Sequence, residues 1–145
     1  MGATDINDCE QTPQGLSDQM FNGESFETWS VNMRSLAILL TYRGQTYQIN
    51  TASYHFTTFA FLPLLAAATD VGGFSEPGNV INLSSISGMT ITSQRGQFNY
   101  NASKAATIAL SKMQATEFAR RNLKIRVNCI CPGYFPSVSQ ECVLC

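Results

Sequence analysis

Tyr100 and Lys104 stand four residues apart in the run Tyr-Asn-Ala-Ser-Lys. On a helix that spacing puts both side chains on one face. A free tyrosine titrates near ~10 and is a poor proton donor or acceptor at neutral pH. A lysine ammonium within a few ångströms favours the phenolate and lowers that value. The pair is then a usable general acid for a carbonyl oxygen, or a general base for an alcohol. The spacing alone is common, and two exposed helical residues satisfy it equally well. The surrounding elements decide between these readings.

Residues 46–68 read as a helix. Ile49, Ala52, Phe56, Phe59 and Leu62 recur at three- to four-residue steps and give one apolar face. Pro63 is expected to kink it or to sit in a tight turn. Residues 70–78 form a turn-rich loop. Residues 79–85 (Asn-Val-Ile-Asn-Leu-Ser-Ser) are short, β-branched and bounded by turn residues, as a strand is. A polar loop over 87–97 leads to a second helix over 98–121. That helix carries a small-residue stripe of Ala102, Ala105, Ala106, Ala109, Leu110 and Met113, and a Glu117–Arg121 pair on its wet side. Residues 124–130 alternate as a second strand, which Cys131-Pro132-Gly133 ends. The order helix, strand, helix, strand implies a parallel crossover, half of a doubly wound α/β fold. Residues 1–24 read as loop. His55, the only histidine, reads as a packing or surface residue rather than a catalyst.

Three segments occur in one order: Asn79 through Gly88 with Ser84-Ser85-Ile86-Ser87-Gly88, then Tyr100-Asn-Ala-Ser-Lys104, then Ile125 through Gly133 ending in Cys-Pro-Gly. Together they resemble the short-chain dehydrogenase/reductase family over residues 45–137. The resemblance implies a Rossmann-type domain, here an incomplete doubly wound parallel sheet. It implies hydride transfer between NADP or NAD and a small-molecule carbonyl or alcohol. Tyr100 would be the acid/base, and Lys104 would hold the nicotinamide ribose and depress the tyrosine. Ser85 would hydrogen-bond the substrate oxygen. Ser87 competes for that role, since it has the commoner separation from the tyrosine, but Ser85 fits the Ser-Ser-x-x-Gly wording. Asn50 matches the asparagine of a proton-relay water. Pro132, Gly133, Phe135 and Ser137 resemble the segment that contacts the nicotinamide. The two long helices would form a homo-oligomer interface.

No Gly-x-x-x-Gly-x-Gly loop occurs in the 145 residues. Such a loop supplies the helix N-terminus that holds a pyrophosphate. The preference for NAD or NADP is therefore not readable. Residues 1–44 are expected to be an irregular segment with a translated-intron insert at 31–43, and residues 138–145 a non-family tail. A second reading follows, in which the chain is a non-catalytic remnant that at most associates with other subunits. The net charge of −1 gives no footing for nucleic acid, and no apolar run is long enough to span a bilayer. Cys129 and Cys131 read as small buried residues on a strand. With Cys9, Cys142 and Cys145 they read as reduced thiols of a cytoplasmic protein.

Overall fold

A computed structural model describes residues 12–23, 43–94 and 96–135. The first element corrects the loop expected over residues 1–24: Pro13–Gly23 is a helix, α1. Its start is legible after the fact. The Thr12 hydroxyl accepts a hydrogen bond from the Gly15 N–H at 3.0 Å, an N-cap contact, and Pro13 occupies the first helical position. Leu16 then drives into the core and is almost fully buried.

The helix expected over 46–68 is built from four pieces. Helix α2 (Arg43–Tyr47) widens into a π turn at Gln48–Ala52 and resumes as α3 (Ser53–Ala60). The π turn takes an extra residue per turn. Ile49 therefore falls out of phase with the apolar face and is 66% exposed, whereas Ala52, Phe56, Phe59 and Leu62 are buried. The chain breaks at Phe61 and continues as α4 (Leu62–Asp70), with Pro63 in its first turn. Proline lacks the N–H that a continuing helix needs, so the break falls just before it.

Strands β1 (Gly78–Leu83) and β2 (Ile125–Ile130) pair in parallel, from Gly78 opposite Ile125 to Leu83 opposite Ile130. Helix α5 (Phe98–Arg120) links them, as the element order requires. One sheet face meets the helices. There Phe59, Leu62, Phe118, Ile125 and Leu16 form the core, with Val80 and Val127 packed against it. Phe59 and Phe118 meet edge to face with centroids 5.8 Å apart. His55 is buried and packs its ring 4.7 Å from that of Phe59, so of the packing and surface roles it takes the first. The other sheet face carries Ile81, Leu83 and Ile130, each about half exposed.

Helix α5 is polar on its inner side. Ser103, Lys104, Thr107, Ser111 and Gln114 are buried, together with Leu110 and Phe118. Ala102, Ala105, Ala109 and Met113 of the small-residue stripe face outward instead. The buried hydroxyls have partners that explain this choice. Asn82 of β1 donates to the Ser111 hydroxyl at 2.9 Å and to the Gln114 carbonyl at 3.3 Å. The Thr51 hydroxyl donates to the Ser103 carbonyl at 3.1 Å. The Glu117–Arg121 pair is made at 2.6 Å, but the Arg121 side chain is only 9% exposed, so the pair is sheltered rather than wet.

Candidate active site

The chemistry-bearing residues converge at the carboxyl ends of the two parallel strands. In open parallel sheets that is where ligands bind. β1 ends at Leu83, and Ser84 anchors the chain beyond it. The Ser84 N–H donates to the Ile130 carbonyl at 2.8 Å, and its hydroxyl donates to the Lys104 carbonyl at 2.7 Å. The strand end is thereby tied to the first turns of α5.

Ser85 follows in extended conformation and begins a 3-10 turn over Ile86–Gly88. Its hydroxyl oxygen accepts the Ser87 N–H at 3.1 Å. Ser87 is buried, and its hydroxyl donates to the Gln94 side-chain carbonyl at 2.7 Å. Gln94 holds a left-handed backbone, φ 49°, to make that contact. The two serines thus differ. Among the described residues the Ser87 proton has an acceptor, and that of Ser85 has none. Gly88 closes the turn against α5. A Cβ there would lie 2.6 Å from the Lys104 carbonyl carbon and 2.7 Å from the Ala105 nitrogen, so only glycine permits the approach.

Tyr100 lies in the first turn of α5 and is 38% exposed. Lys104 is one turn on, buried, with its ammonium 5.8 Å from the centre of the Tyr100 ring. The ammonium donates to the Leu83 carbonyl at 2.9 Å. Burial lowers the Lys104 pKa below the ordinary lysine value, and the neighbouring Cys129 opposes that shift. The Leu83 carbonyl also accepts from the Tyr54 hydroxyl at 3.1 Å. Tyr54 escaped the sequence reading, because nothing local joins it to a strand end so far along the chain.

Asn50 lies in the π turn. Its amide donates to the Ser103 hydroxyl at 3.0 Å, and its backbone carbonyl accepts from Thr107. Ser103 in turn donates to the Tyr100 carbonyl at 2.8 Å. Asn50 therefore reaches the tyrosine's helical turn through one hydroxyl. Beyond β2, the Pro132 carbonyl accepts from the Ile86 N–H at 2.9 Å, which sets this segment beside the serine turn. Gly133 and Phe135 are exposed, and Ser137 lies outside the described residues. So does the bulk of the 31–43 segment, and all of 138–145. Cys129 and Cys131 are half-buried free thiols rather than fully buried ones.

The family described as short chain dehydrogenase matches residues 30–142. The chain belongs to that family. It is 32% identical to the short-chain dehydrogenase/reductase SAT3 of Stachybotrys chartarum, over 94% of this chain and 49% of that protein. It is 37% identical to PhomF' of Diaporthe leptostromiformis, over 65% of this chain and 31% of that protein. Among solved structures it resembles the Pseudomonas aeruginosa RhlG/NADP active-site complex, with TM-score 0.62 and 30% identity over 72% of this chain and 39% of that one. The chain thus spans 31% to 49% of the length of these relatives. Among the described residues no helix is long and apolar enough to cross a membrane.

Proposed function

We propose that these residues form the catalytic side of an NADP- or NAD-dependent oxidoreductase acting on a small-molecule carbonyl or alcohol. The observation that carries this reading is the placement of the Lys104 ammonium 5.8 Å from the Tyr100 ring at the strand ends, together with a Ser85 hydroxyl whose proton has no acceptor among the described residues.

Bound nicotinamide would supply or accept the hydride. In the reducing direction Tyr100 gives its phenolic proton to the carbonyl oxygen, and the Ser85 hydroxyl hydrogen-bonds the same oxygen. In the oxidising direction the phenolate takes the proton of the alcohol. Lys104 places a positive charge near the Tyr100 ring. Its ammonium has three N–H groups, of which the Leu83 carbonyl takes one among the described residues. The others fit the hydroxyls of a nicotinamide ribose. Asn50 would hold a water that relays protons toward Lys104. Pro132, Gly133, Phe135 and Ser137 would lie along the nicotinamide. These residues fit the nicotinamide end of a dinucleotide, while the pyrophosphate needs a glycine-rich loop that the 145 residues do not contain. The outward alanine face of α5 is the surface on which a second copy would pack.

Lys104→Ala is the test, made in a protein in which residues 45–137 complete a dinucleotide-binding domain. Loss of the ammonium should weaken cofactor binding and lower kcat together, because one group serves both. If cofactor Kd and kcat both stay at the parent values, the Tyr-Lys pair is a coincidence of spacing.

A further inference from the structure

Among the described residues, strand β1 pairs along one edge only, with β2. The Ser84 N–H donates to the Ile130 carbonyl of β2 at 2.8 Å. Along a strand, alternate residues aim their backbone N–H and C=O groups at opposite edges. Val80 and Asn82 therefore face β2 with Ser84, whereas Asn79, Ile81 and Leu83 face the other edge. The Tyr54 hydroxyl agrees with this sense, since it reaches the Leu83 carbonyl at 3.1 Å. The backbone groups of Asn79 and Ile81 have no partner among the described residues. They border a groove of about 320 Å³, lined by Tyr54, Thr57, Phe61 and Leu65 on one side and residues 79–82 on the other. No residue that lines it is charged.

An unpaired strand edge beside an apolar wall is a template for a further strand. Ligand pockets of this size are built on convergent polar side chains, whereas the open polar groups here are backbone. We propose that the groove takes an extended, uncharged strand of a second polypeptide, one that supplies the remaining part of a short-chain dehydrogenase domain. Three observations choose that occupant. The chain spans 31% to 49% of its relatives, so at least half of each has no counterpart in it. A parallel pair of strands is ordinarily part of a larger covered sheet. The uncharged lining disfavours a charged strand, which would lose its water there without an ion partner. A second copy of this chain fits worse. Its β1 would pair antiparallel about a twofold axis normal to the sheet, which brings its own α3 and α4 onto the same groove. Tyr54 also limits the register. It shares the Leu83 carbonyl with Lys104, so the incoming strand ladders on Asn79 and Ile81 and stops short of Leu83. The docking rests on the sheet edge and not on the proposed chemistry of Tyr100.

The probe is a set of overlapping short peptides covering the part of SAT3 that this chain does not match. Each is added to the 145-residue chain, and amide hydrogen exchange is followed residue by residue by NMR. In the dilute chain alone, the Asn79 and Ile81 amides should exchange about tenfold or more faster than those of Val80 and Asn82. One peptide, or two that overlap, should slow both outward amides by about tenfold or more at saturation. Ile81→Pro removes an outward N–H and spares the β1–β2 ladder, an edge position that proline tolerates. It should abolish the binding. Thr57→Glu, at an exposed position, puts a charge in the groove and should weaken binding by about tenfold or more. Slow exchange at Asn79 and Ile81 in the dilute chain alone would show the edge already covered and overturn the proposal. So would protection that grows with the concentration of the chain, which marks a second copy. A scan in which no peptide protects either amide, or binding that survives both substitutions, would overturn it as well.

Discussion

Ser85 and Ser87 differ by two positions and by what their hydroxyls do. Ser87 is buried and gives its proton to Gln94, whereas among the described residues Ser85 only accepts, from the Ser87 N–H. Ser85→Ala should therefore lower kcat by about 10²–10³-fold, the usual cost of one donor to a reacting oxygen. Ser87→Ala should leave kcat nearly intact and cost about 1 kcal/mol of stability. Steady-state kinetics and melting of the two variants check this, and the reverse pattern would give Ser87 the substrate role. The preference for Ser85 rests on the strand end that fixes it. The contact that occupies Ser87 was not legible, because it depends on a left-handed Gln94 in a loop of no regular period. Tyr54 and Ser84 were illegible for a related reason. Their hydroxyls bond backbone carbonyls of Leu83 and Lys104, and any carbonyl can accept.

The serine turn and α5 function as one unit at the level of elements. Ser84 ties the strand end to the Lys104 carbonyl, and Gly88 lets the turn lie directly on the same backbone. The last residue of the Ser-Ser-x-x-Gly motif is thus a packing requirement. Gly88→Ala should force the turn off the helix, cost about 1–3 kcal/mol as overpacking does, and lower turnover as Ser85 shifts from Tyr100. Denaturant melts with activity assays check both effects, and an unaltered melt would show that the turn can move away freely. Sequence periodicity located both strands and α5 within a residue or two, since each has a strong local pattern. It missed the π turn, because Ile49 fits a regular helix as well as its neighbours do. Helix α1 was missed although Thr12-Pro13 is a good start signal. Gly15 and Gly23 in the same stretch are turn residues by type.

At the scale of the whole molecule, the described residues form a small core between one sheet face and the helices. Phe118 is fully buried there, against Phe59. Phe118→Ala should cost about 3–5 kcal/mol. Domains are stable by only ~5–15 kcal/mol, so that one change should lower the melting temperature sharply or abolish a cooperative melt. A melt close to the parent's would show that the core lies elsewhere. The parallel crossover was legible at this scale because two strands separated by one long helix admit little else. The polarity of the inner face of α5 was not. An alanine stripe reads as the packed side, yet Asn82 and Asn50 donate hydrogen bonds to the Ser111 and Ser103 hydroxyls there. The sheet's other face, with Ile81, Leu83 and Ile130, stays half exposed, although parallel sheets are ordinarily covered on both sides.

The central claim is that Tyr100 moves the proton while other groups hold the cofactor. Its most direct test is Tyr100→Phe, in a protein whose dinucleotide-binding domain residues 45–137 complete. Single-turnover hydride transfer would be followed by nicotinamide absorbance, and cofactor Kd measured separately. Loss of the phenol should slow the transfer by about 10²–10⁴-fold, the range for a positioned acid/base, with cofactor Kd unchanged. Transfer at the parent rate would contradict the assignment, as would a loss explained wholly by weaker cofactor binding.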